Sequence, residues 1–414
     1  MVKPGYKQTE IGVIPEDWET SSLSAAFQKL EAGVSVNSDN SLSSEYHILK
    51  TSAVHDGVVD TAETKPVIPQ DYLRLKCPLV KGSIIISRMN TPALVGECGF
   101  TKDAKAGTYL PDRLWQIQNF NKSSFDFVWL NYLLNTKQYR DAVRATATGT
   151  SNSMKNISKE RMLDIEIPRP PINEQENIAA ALSEVDELIN LVEKQINKKK
   201  AIKQGAMQEL LTGKRRLPGF AGEWEKTVLG TVSSFYTGGT PSKKREDWWN
   251  GDIPWISSSD LTEDAITSVN INRYISKDAV EHSATRICPK DAVLVVSRVG
   301  VGKVAVAPCE LCTSQDFTTI VPHRHNPHFL AYMLIPVMKE LAMQAQGTSI
   351  KGVTVEDIQK IIMPTPTIDE QNQIVDILAN MDSEIEALEQ KLEKYSQVKQ
   401  GMMQQLLTGK IRLV

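Results

Sequence analysis

Residues 203–217 read KQGAMQELLTGKRRL and residues 399–413 read KQGMMQQLLTGKIRL, identical at 12 of 15 positions with an offset of 196. The correspondence runs upstream at the same offset. Pro168, Pro170 and Ile172 align with Pro364, Pro366 and Ile368, and Asn173-Glu174-Gln175 with Asp369-Glu370-Gln371. A chain repeating in this way folds as two copies of one unit, each a divergent segment followed by a retained stretch. The 414 residues accordingly divide into segments 1–172 and 214–368, and stretches 173–213 and 369–414. That length suits two or three domains, each with its own core.

The retained stretches read as helices. Ile178, Leu182, Val185, Ile189, Val192 and Ile196 step alternately by four and three, a heptad stripe. The stripe turns polar at Lys199 and Lys203 and resumes at Ala206 and Leu210, and Gly213 stands where a helix end prefers glycine. The second stripe runs through Ile374, Leu378, Met381, Ile385, Leu388, Leu392, Tyr395, Met402 and Leu406. Asn173, with Glu176 as capping-box partner, and Asp369 are the expected N-caps. About 39 residues at ~1.5 Å each give a helix of roughly 55–60 Å. Two equal helices with one narrow seam each bury those seams against each other, and the intervening segment makes an antiparallel coiled coil the natural closure. Gly205 and Gly401 cost ~1 kcal/mol each relative to alanine. Their recurrence implies close approach by the other helix or by another protein, so with Leu210 and Leu406 they are the candidate partner-docking residues.

The divergent segments read as α/β. Tyr46–Leu49, Val58–Val59, Ile84–Ser87 and Leu114–Ile117 are short β-branched or apolar runs between turn signals, and Phe125–Ala147 reads as one helix. Pro168–Pro171 marks a domain exit. The second segment repeats the plan with strands at Val293–Ser297 and Lys303–Ala307 and a helix around Phe329–Gln346. A Gly-Thr-Ser loop at 347–349 matches the one at 149–151.

Composition excludes several classes. With 41% hydrophobic and 23% charged residues the chain reads as an ordinary globular protein. Its start, MVKPGYKQTEIG, lacks a signal-peptide core, and its longest apolar runs are strand-sized, far short of the ~18 residues a membrane span needs. Five cysteines without a framework fit a reducing compartment, so a cytoplasmic protein without a membrane partner is expected. Net charge is −3, but 173–213 carries −2 and 369–409 carries −5, leaving +4 elsewhere, which permits DNA contact.

No catalytic constellation emerges. There is no P-loop and no GxSxG elbow. Pro170-Pro171 lacks the preceding Asn or Asp and the following aromatic of an adenine methyltransferase motif. Asp60, Glu63 and Lys65 have the letters of a nuclease triple without a counterpart in the second half. Cys309 and Cys312 followed by His323 and His325 superficially suggest zinc, but the His-x-His spacing is too tight for a finger and the first half has no equivalent, so no metal site is expected. The segments do contain paired polar elements. Ser87-Arg88, with Asn90, follows one apolar strand and Ser297-Arg298, with Lys303, follows another. Arginine at a strand end suits bidentate guanine readout or phosphate clamping. Thr150, Ser151 and Lys155, and Thr348, Ser349 and Lys351, suit phosphate contact. Lys243 and Lys244 stand beside Trp248 and Trp249.

Taken together, GGTPSKKREDWWNGDIPWISSSDL at 238–261, the paired QELLTGK and QQLLTGK, the Pro-x-Pro…EQ helix starts, IGVIPEDWE at 11–19 and GFAGEWE at 219–225 resemble the specificity subunits of type I restriction–modification systems. The resemblance spans the whole chain, although residues 28–60 lack a Gly-Gly-Thr-Pro equivalent. It implies two target recognition domains, each reading half of a split site in double-stranded DNA, spaced by helices that dock two methyltransferase subunits. S-adenosylmethionine, ATP and Mg2+ are then expected on the methyltransferase and restriction subunits, with no catalysis by this chain. A coiled coil of ~55 Å is the right order to hold two readers one DNA turn, about 34–36 Å, or a multiple apart. The competing reading is a two-headed scaffold for peptides. Inserting four residues into one long helix should lengthen the unread spacer that is tolerated; a folded insertion variant with unchanged spacer preference contradicts the spacing role.

Overall fold

The computed structural model describes residues 3–148, 154–263, 265–346 and 352–414. It forms two compact units, Met1–Val192 with Lys391–Val414, and Glu193–Gln390. The two long helices, Ile172–Leu210 and Ile368–Leu406, have 39 residues each, and each contributes one half to each unit.

In the first unit a six-stranded sheet has the order Phe27–Ala32, Leu114–Phe120, Ile84–Ser87, Cys98–Phe100, Gly57–Val59, Val54–His55. All neighbours are antiparallel except Cys98–Phe100 and Gly57–Val59. The run Ile84-Ile85-Ile86 is unbroken because both faces of this central strand are covered: Ile84 and Ile86 meet Trp129, Leu130 and Leu133, and Ile85 meets Leu49 and Leu114. The single helix expected over 125–147 is two, Phe127–Leu134 and Lys137–Ala145. Thr136 explains the break. Its hydroxyl accepts from the Tyr139 amide as an N-cap, an alternative to continuing the helix.

The second unit has a four-stranded antiparallel sheet in the order Ser233–Thr237, Phe317–Pro322, Val293–Val296, Val304–Val306, matching the first four strands above. Another sheet joins Tyr274–Ile275, Ile253–Ile256, Leu311–Thr313 and Ile287–Cys288. The helix Pro327–Gln346 covers the first sheet through Phe329, Leu330 and Leu334. Each segment is thus an α/β domain followed by a long helix.

Within each unit the two long helices pair antiparallel as a coiled coil. In the first, Ile178, Ala179 and Leu182 share a core with Leu406 and Leu407. In the second, Leu210 and Leu211 share one with Ile374 and Leu378, and Lys200 pairs with Glu389 at 2.7 Å. The expected caps are corrected. The helices begin at Ile172 and Ile368, placing Asn173 and Asp369 inside the first turn. Pro171 accepts the Glu174 and Gln175 amides through its carbonyl, and Thr367 accepts the Glu370 amide through its hydroxyl at 3.4 Å. At the first helix the Pro171 carbonyl takes two of the first-turn amides, and at the second the cap is Thr367 rather than Asp369.

The duplicated motifs meet at one joint in each unit. Glu174, 2% exposed, accepts from Trp18 Nε1 at 2.8 Å and from Arg412 Nε and Nη2 at 2.7 and 2.8 Å. Glu370, 1% exposed, accepts from Trp224 Nε1 at 3.1 Å and from Arg216 Nε and Nη2 at 2.8 and 2.9 Å. The glycines of the two LTGK sequences end their helices at φ +70° (Gly213) and +69° (Gly409). A Cβ would come within 3.3 Å of Trp224 in one and 3.1 Å of Trp18 in the other. Gln175 binds the Asp126 amide and the Pro170 and Ser124 carbonyls, and Gln371 binds the Asn326 amide and the Pro366 carbonyl. Each α/β domain is therefore bolted to the start of one long helix and the tail of the other. Arg412→Ala leaves the Glu174 carboxylate buried without its ion-pair partner, which should cost about 3–5 kcal/mol. Hydrogen exchange should localise the loss to the first unit; equal loss in both units contradicts the assignment.

Candidate nucleic-acid interface

The strands Ile84–Ser87 and Val293–Val296 are buried on both faces, and each Ser-Arg pair straddles the point where the chain leaves that cover. Ser87 is buried and accepts from Asn90 Nδ2 at 3.1 Å. Arg88 turns outward, its guanidinium 5.6 Å from the Trp115 ring centre. Its Nε is buried and has no hydrogen-bond partner among the described residues. A buried donor left unpaired is costly and calls for an acceptor from outside. Met89–Asn90 pairs with Lys155–Ile157, setting Asn90 opposite Lys155, and the Arg88 carbonyl accepts the Ile157 amide at 2.9 Å. Arg88, Asn90 and Lys155 thus come together on one edge. Thr150 and Ser151 lie outside the described residues. Trp115, the platform for Arg88, escaped the sequence reading; the aromatic in Leu114-Trp115-Gln116-Ile117 was its only signal.

In the second unit Ser297 is buried, accepting from Thr318 Oγ1 at 3.1 Å and donating to the Asp316 carbonyl at 3.3 Å. Arg298 is exposed and makes no ion pair among the described residues. The Ser297 carbonyl accepts the Val353 amide at 2.8 Å, so the chain following 347–351 returns to this strand end as 154–157 does in the first unit. Thr348, Ser349 and Lys351 lie outside the described residues. The Lys303 ammonium is held by the Ser258 and Leu261 carbonyls at 3.3 and 2.9 Å, a clamp on backbone. Lys243 and Lys244 are exposed, while neighbouring Arg245 pairs with Asp247 and lies 4.8 Å over Trp248.

Gly205 and Gly401 are exposed, and a Cβ on either would meet nothing within 4 Å, so this chain's own helices do not approach closely there. Leu210 and Leu406 are each 5% exposed and belong to the cores of their units. Among the described residues no three His, Cys, Asp or Glu side chains are grouped to hold a metal ion. Glu63 pairs with Lys50, and Asp60 caps the Ala62 amide.

The sequence matches the family model of the type I restriction–modification DNA specificity domain twice, over residues 15–201 and 221–396. The chain belongs to this family. Specificity subunits are the non-catalytic, DNA-recognising component of type I restriction–modification enzymes. Two relatives from Methanocaldococcus jannaschii are named as specificity subunits of type I restriction enzymes. One, of MjaX, is 26% identical with 99% of this chain and 97% of the relative covered, and the other, of MjaVIII, is 24% identical with 97% and 94% covered. The fold is shared with a type I S subunit from M. genitalium at a TM-score of 0.60, 16% identity and 94% and 96% coverage. It is shared also with a chain from a structural account of type I system assembly at 0.53, 17% identity and 96% and 99% coverage.

If Arg88 reads a base, Arg88→Ala should weaken binding by ~1–3 kcal/mol at one set of base pairs only, and Arg298→Ala at another. Equal loss on every sequence marks phosphate contacts, and unchanged binding removes the residue from the interface. His325 adds a pH test: burial, then the neighbouring Arg324, lowers its pKa from 6.5. Its stability contribution is then fully present above pH 6.5 and lost as pH falls through the lowered pKa. Chemical denaturation from pH 7.5 to 5 should show this slope in the specificity subunit and a flatter one in His325→Gln.

Proposed function

We propose that this specificity subunit reads a split, asymmetric site in double-stranded DNA, one half with each α/β domain, and directs partner methyltransferase and restriction subunits to it. The observation that carries the reading is the equivalent placement of Arg88 and Arg298. Each stands at the end of the same strand of a matching sheet and beside a chain segment that returns to that strand end. Two readers of similar build with different surroundings suit two different half-sites. Arg88 rests on Trp115, whereas Arg298 stands exposed. Lys155, Lys243 and Lys244 supply the phosphate contacts that orient a protein on the duplex, together with Thr150, Ser151, Thr348, Ser349 and Lys351.

The methyltransferase subunits dock on the helix pair. The open backbone at Gly205 and Gly401 favours this, because it admits a foreign chain where this chain leaves space. S-adenosylmethionine, bound by those subunits, supplies the methyl group transferred to adenine, and ATP and Mg2+ belong with the restriction subunits. The setting is the cytoplasm of a prokaryote; no helix among the described residues is long and apolar enough to cross a membrane.

Footprinting of the chain with its methyltransferase subunit should show two short, sequence-dependent protected segments separated by an unread gap. Gly205→Leu and Gly401→Leu should each lower occupancy by the methyltransferase subunit, read by native mass spectrometry. Protection independent of sequence favours the scaffold reading instead, and full occupancy in both variants removes the glycines from the docking surface.

A further inference from the structure

The heptad stripe is interrupted at the same place in both helices, and the interruption has a structural answer. Lys203, only 7% exposed, reaches Asp382 Oδ1 on the other long helix, and its ammonium lies 5.3 Å over the ring of Tyr332. Tyr332, on the helix Pro327–Gln346 of the α/β domain, donates its hydroxyl to Asp382 Oδ2 at 2.6 Å. The first unit repeats this with Lys399 to Asp186 Oδ1 at 2.6 Å, Tyr132 to Asp186 Oδ2 at 2.6 Å, and the Lys399 ammonium 5.6 Å from the Tyr132 ring. In each unit three elements meet at one carboxylate: the α/β domain and both long helices.

We propose that these two polar layers fix the register of the helix pair and the seat of each recognition domain on it, and thereby set the length of DNA left unread between the half-sites. The second clause rests on the split-site reading above. A seam of apolar residues repeats every heptad and tolerates a slip by one repeat, whereas a buried charge matched at one point does not. A slip of one residue moves a side chain ~1.5 Å and turns it about 100° around its helix, taking the ammonium away from its carboxylate. Stability alone does not call for such a layer, since well-packed apolar groups replace buried ion pairs without loss, whereas specification of register is their best-attested use. Burial and the neighbouring carboxylate push both tyrosine pKa values up, so each phenol remains a donor. Lys203, Lys399, Asp186 and Asp382 are positioning residues that touch no DNA.

The test uses the full chain. Single changes such as Lys203→Met leave a half-buried carboxylate without its cation and risk local unfolding, so the informative variants remove a whole layer: Tyr332→Phe with Asp382→Leu and Lys203→Met, or Tyr132→Phe with Asp186→Leu and Lys399→Met. Lys200→Cys and Glu389→Cys, at positions whose long side chains meet Nζ to Oε1 at 2.7 Å in the native register, report register by trapping with a short bismaleimide cross-linker that spans the distance those side chains cover. In each layer variant, thermal unfolding should remain cooperative, and trapping should fall several-fold. In complex with the methyltransferase subunits, sites whose spacer is one base pair longer or shorter should be methylated at least about tenfold faster than by the parent chain, a change of 1.4 kcal/mol. Folded layer variants that trap as efficiently as the parent overturn the proposal. Lost trapping with an unchanged spacer preference overturns its second clause. A complex of the parent chain with its methyltransferase subunits that methylates no split site at all overturns the functional reading beneath that clause, while trapping still decides the first.

Discussion

A carboxylate as deeply buried as Glu174 or Glu370 is tolerable only with a full set of donors and an opposing charge around it. In each unit the glutamate sits at the start of one long helix, and its side-chain donors come from two other places: the tryptophan near the start of an α/β domain and the arginine beyond the end of the other long helix. This requirement ties the molecule together. Neither α/β domain can satisfy its glutamate with the helix that follows it; each needs the tail of the helix that does not. The antiparallel pairing of the helices and the recurrence of the motifs follow from that constraint. The glycine of LTGK, the tryptophan and the helix-start Glu-Gln are parts of one repeated joint.

What was legible in the sequence was whatever is written locally. The heptad seam, the helix lengths, the buried strand Ile84–Ser87 and its counterpart Val293–Val296 declare themselves through periodicity and residue type. What was hidden depends on partners far away in the chain. Nothing near Glu174 announces Arg412, and nothing near Lys203 announces Asp382 and Tyr332. The polar break in the stripe was visible while its meaning was not. Local competition explains the remaining differences: Thr136 caps a new helix where a continuous one was expected, and Pro171 makes a side-chain cap at Asn173 superfluous.

The candidate interface was legible to a similar depth. At the ends of strands buried on both faces Ser87 and Ser297 stay in the core, while the arginines one residue further leave it and are the ones available for recognition. Lys303 is occupied by backbone carbonyls. The two heads share a sheet order and a strand end, yet Arg88 lies over an indole with a buried donor unmet among the described residues, and Arg298 is exposed. A scaffold kept constant by buried charge pairs, carrying readers that differ at the surface, can change what it reads without disturbing how it assembles. That is the physical sense of a non-catalytic specificity subunit: this chain contributes recognition and position.

The most direct test is to express the chain with its methyltransferase subunits and map every methylated adenine across a host genome. A split-site reader of this build yields one asymmetric motif of two short specified halves separated by a gap of fixed length and unrestricted sequence, with a methylated adenine in each half. A single uninterrupted motif, or two halves whose separation varies freely, would contradict the split-site reading.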